Sequence, residues 1–250
     1  MERYFLQLSY DGSDFHGWQI QRNASTVQAS LDAALTVYLR EKIETTGAGR
    51  TDTGVHANFF VAHFDCSNNN LEKNQLLHLH KLNSILPESI AVLKIKKVHN
   101  SANARFDATS RTYRYYMHRS KNPFISLYST VLKGNVDIDL MNEAAKKLFK
   151  YTDFTSFSKL HTDVKTNNCI IAEAAWHEEG DRLIFTITAN RFLRNMVRSI
   201  VGTLLDVGKN RITIDDFCKI IEQKNRCCAG KSVAAKGLFL ADIKYPYDIG

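Results

Sequence analysis

Residues 42–61 read KIETTGAGRTDTGVHANFFV, and how this stretch is divided decides the fold. Residues 42–46 (KIETT) read as a short strand, and Val55, Ala57, Phe59 and Val61 alternate as a second one. Between them, three glycines (Gly47, Gly49 and Gly54) surround a lone carboxylate, Asp52. Glycine permits positive φ or close approach of another group, so this loop is expected to bend sharply around Asp52.

Helices and strands flank this stretch. Tyr4, Leu6, Leu8 and Tyr10 alternate as a half-buried strand. Ser25-Thr26-Val27-Gln28 has the form of a capping box, and Val27, Leu31, Leu35 and Tyr38 follow at helical spacing. A helix is expected over about 72–85, ended by Pro87, and IAVLKIKKV (90–98) reads as a strand. The order β-α-β-β-α-β is that of a ferredoxin-like unit.

The second half repeats the pattern without repeating the residues. RTYRYYMH (111–118) reads as a strand and 139–149 as a helix. Residues 169–178 and 182–189 form a hairpin turning at Glu179-Gly180-Asp181. Leu193, Met196, Val197, Ile200, Val201, Leu204 and Leu205 give a strong helical stripe, read as a helix over 192–206. Thr213 caps a further helix carrying Phe217, Ile220 and Ile221, and GLFLADIK (237–244) closes as a strand. The expected fold class is α+β, with two ferredoxin-like halves (1–103 and 104–250) sharing a mainly antiparallel sheet and an active-site cleft between them.

The chain has 250 residues, enough to bury a substantial core without disulfides or metal. Lysine and arginine number 33 against 26 acidic residues, a formal net charge of +7 that favours an anionic partner, nucleic acid first. Five cysteines, an odd number with no C-x-x-C, point to a reducing cytoplasmic compartment. The N-terminus has no apolar signal region, and no apolar run approaches the ~18 residues of a membrane span. A soluble, intracellular protein is expected.

Several site motifs fail on inspection. Gly47-x-Gly49-x-x needs a glycine at 52 to cradle a dinucleotide and finds an aspartate that would repel pyrophosphate. Asp52-Thr53-Gly54 matches an aspartic-protease triplet, but there is no second D-T-G or D-S-G, so only a homodimer could supply the shared-proton dyad. Gly230-Lys231-Ser232 lacks the upstream glycine of a phosphate loop, with Asn225 in its place. His78 and His80, two apart on a helix, face different sides, and no further cluster completes a metal set.

Basic and aromatic residues remain as company for Asp52. Arg50 lies two residues away, and Arg111, Tyr113 and Tyr115 share one strand face. That interleaving suits RNA, because arginine pairs phosphate and an aromatic ring stacks a base; it also suits an ordinary solvated strand face. Arg194 and Arg198, four apart on the helix with Arg191 just before, form either a basic binding strip or a solvated helix face.

Blocks along nearly the whole chain resemble the tRNA pseudouridine synthase A family. YDGSDFHGWQIQ (10–21) resembles its opening motif and GAGRTDTGVHA (47–57) its catalytic one. LNSILPESIAV (82–92), ARFDATSRTYRY (104–115), DFTSF (153–157), RFLRNMVRSIVGTLLDVG (191–208) and AAKGLFL (234–240) follow in family order. The resemblance implies a double ferredoxin-like fold and a homodimer that acts on tRNA with no cofactor and no metal. The implied product is pseudouridine on the 3′ side of the anticodon stem-loop, at tRNA positions 38, 39 and 40. It further implies Asp52 as the catalytic carboxylate and Arg50 as a residue holding the target base out of the stack. Tyr113 would lie against the flipped base, and Arg198 would keep Asp52 ionised. Arg111, Arg191, Arg194 and Lys165 are candidate tRNA contacts. The family's pattern is weakest over SKLHTDVKTNNC (158–169), with Lys165 where an arginine is expected, and at Asn103, where a histidine is expected.

The chemistry fits one carboxylate. The N1–C1′ bond breaks, uracil turns over, and C5 bonds to C1′ with no change of oxidation level. Asp52 either attacks C1′ or removes the C2′ proton. In a partly dry pocket burial favours a protonated carboxyl, and a nearby arginine offsets this. Two other readings compete: a catalytically inactive tRNA-binding protein of the same fold, and a dimeric aspartic protease.

Overall fold

The computed structural model describes residues 1–67, 70–159 and 166–249; Lys165 lies outside them. The chain forms two compact units, one of Met1–Thr109 together with the residues from Leu240 on, the other of Ser110–Phe239. Both are α+β with mainly antiparallel strand pairing.

In the first unit the elements run β1 (Glu2–Tyr10), α1 (Val27–Leu39), β2 (Thr46–Gly47), β3 (His56–Cys66), α2 (Gln75–Ile85) and β4 (Ile90–Val98). Strand β1 lies between β3 and β4, antiparallel to both, with Leu6 opposite Ala62 on one side and Ile95 on the other. Strand β2 adds to β3 by two residue pairs.

The alternation in β1 predicts one buried face, and the structure buries two. Tyr4, Leu6 and Leu8 are fully buried, and so is Phe5 on the opposite face. The reason lies at the far end of the sequence. Tyr245 packs edge-on against Phe5 (5.4 Å between ring centres), Tyr247 lies 6.2 Å from it, and Gln7 Nε2 donates to the Ile249 carbonyl at 3.1 Å. The C-terminal segment is thus part of the first unit, whereas a division at 103/104 assigns it to the second half.

The expected strand over 42–46 shrinks to Thr46–Gly47 because helix side chains take its backbone groups. Ile43 N–H donates to Thr36 Oγ1 (3.1 Å), Thr45 N–H to Asp32 Oδ1 (3.0 Å), and the Thr45 carbonyl accepts from Gln28 Nε2 (2.7 Å). Helix α1 begins one residue later than the capping-box reading. Thr26 is its N-cap, accepting from Ala29 N–H at 3.3 Å, and Gln28 points elsewhere.

The second unit contains β5 (Ser110–His118), β6 (Thr130–Val131), α3 (Ile138–Lys147), β7 (Ile171–Glu179), β8 (Arg182–Ala189), α4 (Met196–Gly208) and α5 (Ile214–Glu222). A last strand, β9 (Leu238–Lys244), starts in this unit and ends in the first. Strand β8 is antiparallel to both β5 and β7, and β6 runs parallel to β5. The β7–β8 hairpin turns at Gly180-Asp181, with Gly180 at φ +59° and Glu179 paired to Arg182. Trp176 and Phe185, opposite each other, place their rings 4.9 Å apart. Thr213 caps α5 with Asp216 in a reciprocal capping box, and Phe217 and Ile221 bury its inner face.

Arg194 is not on a helix. Asn195 adopts a left-handed conformation (φ +66°) that a continuous helix cannot contain, so α4 starts at Met196 and Arg194 occupies the preceding turn.

Asp32 carries a testable cost. Burial pushes its carboxyl up to about 6, against the opposing hydrogen bonds from Thr45. The folded state therefore binds the proton more tightly than the unfolded state, and stability falls as pH rises from about 4 to about 6. Asp32→Asn should be more stable than wild type by roughly 1–2 kcal/mol at pH 7.5, after discounting for partial solvent screening. The difference should vanish at pH 4. Urea melts at the two pH values check this, and an equal effect at both would refute the electrostatic origin.

Candidate active site

The loop carrying Asp52 is held from its own turn outward. Val55 N–H donates to the Asp52 carbonyl at 3.1 Å, closing a four-residue turn whose third residue, Gly54, has φ +74°. That conformation strains any residue with a Cβ, which accounts for the glycine. Asp52 is half-buried and Arg50 exposed. Thr51, buried between them, pairs its hydroxyl with that of Tyr10 at 2.9 Å. Tyr10 ends β1, after a register shift between Leu8 and Tyr10.

The loop after β1 backs the Asp52 loop at distances only glycine allows. Gly17, at φ +88°, lies so close that a Cβ would sit 2.3 Å from the Thr51 carbonyl oxygen and 3.2 Å from the Asp52 carbonyl carbon. A Cβ on Gly12 would sit 2.0 Å from the Val55 carbonyl oxygen. Backbone bonds follow the same path: Trp18 N–H to Thr51 O (3.4 Å) and Gly54 N–H to Phe15 O (3.3 Å). Gly12 N–H donates to Nδ1 of buried His56 at 3.1 Å. The Trp18 indole stacks on Phe60 (4.2 Å) and fills the space beside Gly47, where a Cβ would come within 2.5 Å of it.

Gly49 departs from expectation. Its φ is not positive, and a Cβ there would meet nothing within 4 Å. Two of the three loop glycines are required by the fold of the unit, and the third faces open space.

The other candidates belong to the second unit. Tyr113, half-buried on β5, meets Phe192 edge-on at 5.1 Å. Arg111 Nη1 donates to the Asn190 carbonyl at 2.9 Å, next to half-buried Arg191. Strand β5 and the segment entering α4 thus bring Arg111, Tyr113, Arg191 and Phe192 together. Tyr115 shares their face but is fully buried, its hydroxyl bonded to Thr130 Oγ1 (2.5 Å) and the Ala234 carbonyl (3.0 Å). Burial pushes that phenol up to about 12, and the residue is structural. Arg194 is exposed in its turn, where its carbonyl accepts from Lys159 N–H at 3.0 Å. Arg198, half-buried on α4, donates Nε–H to the Val233 carbonyl at 2.7 Å and accepts Val233 N–H on its own carbonyl at 3.2 Å.

His78 is explained by packing: its ring nitrogen pairs with the Tyr38 hydroxyl at 2.5 Å, linking α2 to α1. Among the described residues no group of three or more His, Cys, Asp or Glu side chains could hold a metal ion. Tyr10, Gly12, Gly17 and Trp18 were not legible as parts of the site from periodicity. The visible signal was the pair of glycines in YDGSDFHGW (10–18).

A family model described as tRNA pseudouridine synthase matches residues 8–107 and 144–246 of the chain. A chain from Parabacteroides distasonis named tRNA pseudouridine synthase A is 55% identical over 250 residues, covering all of this chain and 98% of that one. Chains of the same name from Bacteroides thetaiotaomicron and Bacteroides fragilis are each 52% identical, covering all of this chain and 93% and 98% of theirs.

The glycine geometry separates two substitutions. Gly47→Ala drives a methyl group into the Trp18 indole and should cost about 1–3 kcal/mol of stability, as overpacking does. Gly49→Ala enters open space and should leave the melting temperature unchanged or slightly raised, since alanine restricts the unfolded chain. Thermal denaturation of both variants checks the order, and the reverse order would contradict this loop packing.

Proposed function

The chain belongs to the tRNA pseudouridine synthase family, whose members are isomerases, and we propose that Asp52 is the carboxylate through which it converts uridine to pseudouridine on the 3′ side of the tRNA anticodon stem-loop. The observation that carries this reading is the clamp on the Asp52 loop. The backbone that carries half-buried Asp52 is held by backbone-to-backbone contact with a second motif segment, both within the family match. Chemistry on a buried glycosidic bond needs a group held to within fractions of an ångström, because misplacement is costly in rate.

In this reading the target base leaves the helical stack at a cost of a few kcal/mol, with Arg50 helping to hold it out. Tyr113 lies against the flipped base; its ring is already oriented by Phe192. Arg198 supplies counter-charge to the catalytic carboxylate. Its Nε bond to the Val233 carbonyl ties the guanidinium to backbone. Arg111, Arg191 and Arg194 contact phosphate, and so does Lys165. The isomerisation moves one bond from nitrogen to carbon at constant oxidation level, so redox chemistry is not required of a cofactor. The enzyme works in the cytoplasm as a homodimer; no described helix is long and apolar enough to cross a membrane, and all five cysteines are free thiols. In the first unit β4, β1 and β3 are neighbours in that order, and β2 pairs antiparallel with β3 through Thr46 and Gly47, which supports the ferredoxin-like reading of that unit.

Asp52→Asn keeps shape and removes charge. It should abolish pseudouridine formation on unmodified tRNA transcripts while leaving tRNA affinity within a few-fold. Near wild-type activity would sink the assignment and leave the inactive-binder reading beside it to be judged on the wild type. Affinity should fall with salt at a log–log slope of about −4 to −7 if roughly 5–8 phosphates are contacted. A flat response would show that the basic excess is not a binding surface.

Arg198→Met should lower turnover far more than affinity, with activity recovering as pH rises, because a carboxylate without its counter-charge takes up a proton more readily. Arg194→Met should only weaken binding slightly. Parallel pH–rate profiles for the two variants on saturating tRNA would return Arg198 to a structural role.

A further inference from the structure

The sequence spacing from Ser25 gives Gln28 the place of a capping-box glutamine, but with Thr26 as the N-cap it is the second residue of α1, and its side chain does not reach back to the helix terminus. It is buried, and its amide bonds reach two other segments. Nε2 donates to the Thr45 carbonyl at 2.7 Å. Oε1 accepts from Gln19 Nε2 at 2.8 Å and from Ile20 N–H at 3.1 Å. Its backbone N–H donates to the Trp18 carbonyl at 3.0 Å. One turn along α1, Asp32 Oδ1 takes Thr45 from the other side, accepting its N–H (3.0 Å) and its hydroxyl (2.6 Å).

The two segments joined by this amide are the ones that locate Asp52. Thr45 leads through Gly47 into the Asp52 loop. Trp18 binds the Thr51 carbonyl, packs its ring beside Gly47, and follows Gly17, which abuts Thr51 and Asp52. The link requires a donor and an acceptor on one planar group. Glutamate lacks the donor when ionised, and methionine of similar length has no donor and only a weak acceptor.

We propose that Gln28 is a positioning residue for the pseudouridine synthase reaction: its amide ties the segment entering the Asp52 loop to the loop that backs it, and so sets where the carboxylate stands. The proposal rests on the reading of Asp52 as the catalytic carboxylate. It differs from a role in holding α1 together, which falls to the Thr26 cap and the buried Val27, Leu31 and Leu35.

The test uses full-length Gln28→Met, Gln28→Glu, Thr26→Ala and Asp52→Asn, with single-turnover loss of the uridine C5 hydrogen from unmodified tRNA and separate tRNA affinity measurements, all well below each melting temperature. Gln28→Met should turn over ~10- to 100-fold more slowly, the range a sub-ångström to ångström misplacement produces, with tRNA affinity within a few-fold. Gln28→Glu keeps the acceptor toward Ile20 but loses the donor to Thr45, and should be slow as well; it serves if the methionine variant does not fold. Thr26→Ala should lower the melting temperature and leave turnover of the folded enzyme unchanged. Near wild-type turnover in a folded Gln28 variant would overturn the proposal. So would equal slowing by Thr26→Ala, or turnover and affinity falling together. Activity in Asp52→Asn would overturn the Asp52 reading and this proposal with it. An inactive Asp52→Asn beside a fast Gln28→Met would overturn this proposal alone.

Discussion

The approach of Gly17 to the Thr51 carbonyl is the contact on which the candidate site depends. A loop held only by its own turn would leave Asp52 free to move with Thr53 and Gly54. Here a second loop lies against it at a separation that excludes even a methyl group, and no alternative packing of similar density is open to side chains of ordinary size. Gly12 repeats the contact at Val55, on the far side of the turn. The backbone on either side of Asp52 is therefore bracketed by backbone, which does not change rotamer, and the bracket follows the strand end at Tyr10. Precision in the loop is inherited from the sheet.

That inheritance explains which parts of the fold could be read from sequence. Strand β4, the β7–β8 hairpin and the capped helix α5 are specified by residues a few positions apart, through alternation, a glycine turn and a reciprocal cap. These signals are local and survive without knowledge of the partner. Phe5 and Gln7 were invisible as buried residues because Tyr245, Tyr247 and Ile249 cover them from the other end of the chain. Residues 42–46 have strand-like composition, but their hydrogen bonds go to Gln28, Asp32 and Thr36 on a helix. Composition encodes the preference, and tertiary competition decides the outcome.

The site was legible in kind more than in arrangement. Asp52 stands out as a carboxylate ringed by glycines, and the turn at Gly54 answers to that pattern. The pattern overstated Gly49, and it was silent on Gly12 and Gly17, whose reason for being glycine lies in another segment. The arginines show the same division. Helical spacing joined Arg194 to Arg198, but one left-handed residue, Asn195, separates them. The Arg198 guanidinium is tied to backbone at Val233.

A polar residue inside a helix is usually read by its distance from the helix end. Gln28 shows why that is insufficient. Spaced three residues from Ser25 it reads as a capping-box residue, a role glutamate could fill equally well, but the N-cap is Thr26 and that role does not arise. The bonds it makes demand donor and acceptor together, toward two segments that both border the Asp52 loop. Asp32 supports the same residue, Thr45, at the cost of a carboxylate whose burial favours the neutral form. A helix that merely covered the sheet would gain more from apolar residues at both positions, since buried polar groups contribute little net stability even when satisfied. Their presence is accounted for if α1 serves to locate Thr45, and through it the loop that carries the carboxylate.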